Sequence, residues 1–176
     1  GEGIVLNKDG SFQRTARFRG PDLDSAVQAE LVAVAGRLNN AFRRLGSDWA
    51  IFVEAQRQPV GAYPADFFPD AASALVDVER KAVFEEVEAH FESRYFLTFL
   101  YLPPAEEAAR TESWLYEGKA DSGVDAHEVL RSFADRTSRV LQLIENFMPE
   151  CHWLDDEDTL TYLHSTVSTK RQRVRV

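Results

Sequence analysis

The sequence predicts an α+β fold, a ferredoxin-like split βαβ core carrying an N-terminal β-hairpin and extra helices. Three observations lead there. Apolar residues recur at steps of three and four over long segments, the period of an amphipathic helix. Apolar runs of strand length separate those segments. The elements then fall in the order hairpin, helix, strand, helix, strand, helix, strand, helix, a sheet covered by helices.

Residues 3–19 read as the hairpin, with Asp9-Gly10 supplying the positive φ of a tight turn. In its second arm Phe12, Arg14, Ala16 and Phe18 alternate with Gln13, Thr15, Arg17 and Arg19, which predicts an edge ribbon with one wet face. Residues 21–46 form the clearest helix, striped by Leu23, Val27, Leu31, Val34, Leu38, Phe42 and Leu45. Asp22 or Asp24 is placed to cap it, and Gly46 to end it in a left-handed conformation. The run Trp49 to Val53 is apolar without alternation, the pattern of a central strand buried on both faces.

Residues 56–69 hold Pro59, Gly61, Pro64 and Pro69 around Tyr63, Phe67 and Phe68, the composition of an irregular loop pinned by aromatic anchors. A second helix is expected over 70–90 with Ala72, Leu75, Val76, Val83, Phe84 and Val87 inward. A doubly covered strand follows over 94–102, halted by Pro103-Pro104. Residues 105–124, with Trp114 and Tyr116, read as a flexible loop. A third helix over 125–148 is striped by Val129, Leu130, Phe133, Val140, Leu141, Ile144, Phe147 and Met148 and stopped by Pro149. A short strand over 151–154 leads to a last helix capped by Asp155 and carrying Leu160, Leu163 and Val167. In this order the hairpin's second arm, the helix over 21–46 and the strand at 49–53 form one split βαβ half, the strand over 94–102, the helix over 125–148 and the strand over 151–154 form the other, and the second helix is an insertion between them.

The chain's 176 residues suit one ordinary domain, and 44% hydrophobic content with 12 Phe and 3 Trp argues against disorder. The net charge is −9, yet Lys170, Arg171, Arg173 and Arg175 crowd the end, leaving 16 basic against 29 acidic groups before them. An acidic body repels phosphate backbones and anionic lipid heads. One cysteine, Cys151, rules out an internal disulfide, and no stretch reads as a signal peptide or a membrane span. A cytoplasmic location is the expectation, with any membrane association made through partners.

Chemistry-bearing motifs are absent from the sequence. There is no GxxxxGK[ST] loop and no GxGxxG fingerprint, so no nucleotide site is expected in this chain. The histidines at 90, 127, 152 and 164 form no HExxH pair, since Arg131 stands four residues after His127. Cys151-His152 beside Asp155, Asp156, Glu157 and Asp158 is the one cluster with several ligand types. It reads better as the acidic first turn of a helix than as a metal site. Ser132 and Ser138 lie mid-helix without a GxSxG elbow. No catalytic, cofactor-binding or metal residue is nominated. The surfaces nominated for docking are the hairpin edge at 3–19 and the aromatic loop at 59–69, Phe67 and Phe68 above all. The alternative is a nucleic-acid-binding accessory module using the basic tail; a small stand-alone hydrolase ranks below it.

Four strings carry a resemblance: Gly3-Ile-Val-Leu-Asn-Lys-Asp-Gly-Ser-Phe-Gln13, Arg37-Leu-Asn-Asn-Ala-Phe-Arg-Arg-Leu-Gly46, Phe68-Pro-Asp-Ala-Ala-Ser-Ala-Leu75 and Leu160-Thr-Tyr-Leu-His-Ser-Thr-Val-Ser-Thr-Lys170. Together they resemble the N-terminal domain of the TrbE/VirB/CagE family of conjugal-transfer, or type IV secretion, ATPases. The resemblance implies residues 1–169 as a single non-catalytic assembly domain and 170–176 as a basic segment leading to a missing C-terminal motor. That motor is where ATP and Mg2+ are expected, to power pilus assembly and transfer of DNA or protein. It also implies a position at the cytoplasmic face of the bacterial inner membrane, with inner-membrane secretion subunits and other ATPase protomers as partners.

Overall fold

The computed structural model describes residues 2–86, 90–104, 126–168, 170 and 172–175. In chain order the elements are β1 (Ile4–Leu6), β2 (Phe12–Arg19), α1 (Gln28–Phe42), β3 (Trp49–Pro59), α2 (Ala71–Glu86), β4 (Phe91–Tyr101), α3 (Ala126–Glu145), β5 (Glu150–Trp153) and α4 (Asp156–Val167). The chain packs as two compact units, one made of residues 1–54 with 95–176 and one of residues 55–94.

In the first unit β2 is the pivot of the sheet. On one side it pairs antiparallel with β4, Thr15 opposite Thr98. On the other it pairs with β1 along Phe12 to Arg14 and with β5 along Ala16 to Arg19. The main path runs β1-β2-β4-β3, so each βαβ pair is split by a strand from the other half, as the ferredoxin-like reading requires. The expected edge ribbon is corrected: β2 is central. Its polar alternates are accommodated because Thr15 and Thr98 join hydroxyls at 2.9 Å, with the Tyr162 hydroxyl 3.4 Å from Thr98. The expectation for residues 49–53 is corrected too. β3 ends the sheet path, and Phe52 and Val53 are exposed. An unbroken apolar run there reflects an edge strand, not burial on both faces.

Helices α1 and α3 cover one sheet face. Ala41 of α1 and Val140 and Ile144 of α3 close on Leu97 and Phe99 of β4. Phe133 of α3 stacks on Trp49 at 5.5 Å and on Phe12 at 5.6 Å. The other face is covered by α4, whose Tyr162 packs on Phe96 together with Leu154 from the preceding connection. Asp155 caps α4 as expected, its carboxylate accepting the Asp158 N–H at 2.7 Å. The residues it buries are Thr159 and Tyr162, while Leu160 and Val167 are exposed. The Asp9-Gly10 turn also forms, with Gly10 at φ +79°.

Helix boundaries move at both ends of α1 and at the C-terminus of α3, which ends at Glu145, three residues before the expected Met148. α1 begins at Gln28, with Val27 as N-cap, because the Glu30 carboxylate reaches back to the Val27 N–H at 3.0 Å. Asp22 instead accepts from the Asp24 N–H in the preceding turn. Gly46 is not left-handed; Gly3 and Gly10 are the glycines with positive φ among the described residues. The predicted loop at 105–124, with Trp114 and Tyr116, lies outside the described residues, as does Val87.

In the second unit β3 continues through Pro59, beyond the strand expected from the sequence, and the Val60 N–H donates to the His90 carbonyl. Asp70 caps α2 through the Ser73 N–H at 2.8 Å. Helix α2 buries none of its residues. Leu75, Val76 and Val83, expected inward, are exposed.

Candidate interaction surface

Each nominated residue has a definite place. The Tyr63 hydroxyl donates to the Asp77 carboxylate at 2.6 Å, and its ring meets Phe84 edge-on at 5.4 Å. Phe84 stacks on His90 at 3.8 Å. Tyr63 therefore anchors the loop to α2, as its packing role predicts, and Phe68 is half-buried. Phe67 is different: it is 89% exposed. A phenyl ring so placed forgoes about 1.5–3 kcal/mol available from burial, and its neighbours in the unit add Val60, Leu75, Val76, Val78, Val83 and Phe91 as exposed apolar side chains. Large exposed apolar patches mark interaction sites more often than they mark anything else on a soluble domain. The hairpin offers less than its sequence promised, since β2 is paired on both sides and, of the hairpin, three-residue β1 is the strand that ends the path.

The polar candidates do not converge. Cys151 points into the core beneath α1 and α3, and His152, next along the strand, points the opposite way. Burial, helped by Glu145, pushes the Cys151 thiol up to about 11. Asp155 and Asp156 are engaged at the α4 N-terminus, Asp156 accepting the Gly3 N–H at 2.7 Å. No group of three His, Cys, Asp or Glu able to hold a metal exists among the described residues. Ser138 accepts from Arg14 at 3.1 Å, and Ser132 lines an open groove of about 310 Å³ floored by Trp49, Tyr101 and Phe133 and edged by Glu128 and Arg136. Neither serine has a histidine in that set to activate it.

Arg14 is the feature that sequence reasoning undervalued. It is 7% exposed, its guanidinium lying 4.2 Å from the centre of the Trp153 ring. Desolvation holds its pKa below the usual value for arginine, and the indole face and Ser138 offset part of that cost. Its alternation with Phe12 and Ala16 was the available signal. In the basic tail Arg173 pairs with Glu157 at 3.2 Å and the Val174 N–H donates to the Thr161 hydroxyl at 3.0 Å. Some of the positive charge proposed for nucleic acid is thus directed at the chain itself.

The fold and this surface define an α+β domain of ferredoxin-like topology with an apolar insertion. Residues 3–109 match the model of the type IV secretion system ATPase VirB4/TrbE, N-terminal domain, and the chain belongs to that family. It is 36% identical over 148 residues to the conjugal transfer protein TrbE of Rhizobium radiobacter, an alignment covering 82% of this chain and 18% of that protein. It is 41% identical over 112 residues to the first portion of a probable conjugal transfer protein TrbE of Sinorhizobium fredii (strain NBRC 101917 / NGR234), covering 62% of this chain and 74% of the relative. The chain thus spans about a fifth of the length of the first relative.

A phosphate loop needs glycines opening a helix N-terminus, and the positive-φ glycines, Gly3 and Gly10, flank β1 instead. No described helix is long and apolar enough to cross a membrane.

Proposed function

We propose that this chain is the assembly and docking domain of a conjugative type IV secretion ATPase, and that ATP and Mg2+ act in a separate motor domain. The observation that carries the reading is the uncovered apolar surface of residues 55–94, with Phe67 89% exposed and α2 burying no residue. Family membership supplies the context. In this reading the domain works on the cytoplasmic side of the bacterial inner membrane and is held there by inner-membrane secretion subunits and neighbouring ATPase protomers. The acidic charge of the body disfavours direct adhesion to anionic lipid or to nucleic acid.

The test is capture of the inner-membrane subunits of its own secretion system by the purified chain, run beside an ATPase assay. Capture of a channel subunit without ATP turnover is the expected result. Turnover that copurifies with the chain through successive columns would contradict it.

A further inference from the structure

Helix α2 is oriented against its own hydrophobicity. At 100° per residue Ala71, Leu75, Val78 and Ala82 form one row, and Ala72, Val76 and Val83 form another beside it. All seven are exposed. The opposite side makes the contacts, through Asp77 bonded to Tyr63 and Phe84 packed between Tyr63 and His90. The apolar rows therefore face outward while a carboxylate fastens the helix to its own unit.

Two acids interrupt those rows. Glu79 lies one turn from Leu75, Val76 and Val83, and Glu86 lies one turn beyond Ala82 and Val83. Neither makes an ion pair among the described residues, whereas nearby Glu85 is paired with Lys81 at 3.8 Å. Lys81 projects from the other side of the helix, and Arg80 from its flank, one turn from Val76 and Val83. The exposed face thus combines an aliphatic stripe with two carboxylates, unpaired among the described residues, seven residues, or roughly 10 Å, apart along the axis.

That combination selects its occupant. Glu79 stands at the midpoint of α2, so a second copy packed symmetrically would bring Glu79 against its equivalent. An anionic bilayer would meet the same two carboxylates. A partner helix with an apolar stripe and two basic side chains about two turns apart buries the stripe and pairs both acids. We propose that α2 docks a cationic amphipathic helix of a partner protein. This rests on the docking reading above and names the partner's chemistry.

Fluorescence anisotropy on the full chain tests it, using a labelled model helix with leucines at three-four spacing and lysines seven residues apart. Leu75→Ser with Val83→Ser should weaken binding at least tenfold while leaving the melting temperature in place. Glu79→Lys with Glu86→Lys should abolish binding of this helix and transfer it to the same helix carrying glutamates. Absence of binding, or equal binding of the two helices by the wild-type chain, would overturn the proposal. So would self-association, or flotation with phosphatidylglycerol vesicles, that the Leu75 and Val83 changes remove. Subunit capture with the same variants separates the two readings. Equal capture by wild type and variants removes α2 from docking but leaves docking intact; no capture by the wild type removes both.

Discussion

Residues 55–94 and the sheet-and-helix unit of residues 1–54 and 95–176 use the same kinds of side chain to opposite ends. In the larger unit α3 buries Phe133, Val140, Leu141 and Ile144 against the sheet to 2% exposure or less. In the smaller one α2 has a comparable aliphatic stripe and turns it to water. The difference teaches that helical periodicity reports that a face is apolar and is silent on what covers it. In α3 the cover is the sheet of its own chain; for α2 we assign it to a partner.

The contrast can be broken most forcefully in the core. Phe133→Ala removes the ring stacked between Trp49 and Phe12 and should cost about 3–5 kcal/mol in urea unfolding. Val83→Ala on α2 should change stability by less than about 0.5 kcal/mol. Comparable losses at the two sites would erase the distinction. Gly3→Ala comes next: at φ +67° a Cβ would collide with the Leu154 carbonyl oxygen. A loss of about 1–3 kcal/mol is expected from backbone strain and displacement of the Asp156 contact.

Much of the larger unit was legible in the sequence because its signals are local. Asp9-Gly10 carries its own turn geometry, Asp155 its own cap, and the α3 stripe finds the sheet. What was not legible depends on neighbours distant in sequence. Thr15 gave no sign of its partner Thr98, nor Arg14 of Trp153, so a central strand read as an edge. Trp49 to Val53 read as central because an apolar run does not state its position in a sheet. The aromatic loop was legible to a degree: Tyr63 anchors as expected, while Phe67 faces water, and no periodicity in so short a loop distinguishes the two. For the candidate surface, the sequence placed Phe84 of α2 inward as observed but assigned Ala72, Leu75, Val76 and Val83 to the wrong side, since Asp77 is held by Tyr63 fourteen residues earlier.

Smaller effects sharpen the same comparison. Asp155→Ala removes the α4 cap and should cost about 1 kcal/mol, read as a lower urea midpoint. Cys151, whose thiol is raised to about 11 by its burial, stays protonated at pH 8. It should react with iodoacetamide far more slowly in the native chain than in urea, and the native rate should climb only as pH approaches 11.

Hydrogen–deuterium exchange of the chain, alone and with the inner-membrane subunits of its secretion system, tests the central claim most directly. Docking through the smaller unit predicts new protection in α2 and residues 60–70, with exchange in α3 and the sheet unchanged. Protection appearing only in the larger unit, or nowhere, would contradict it.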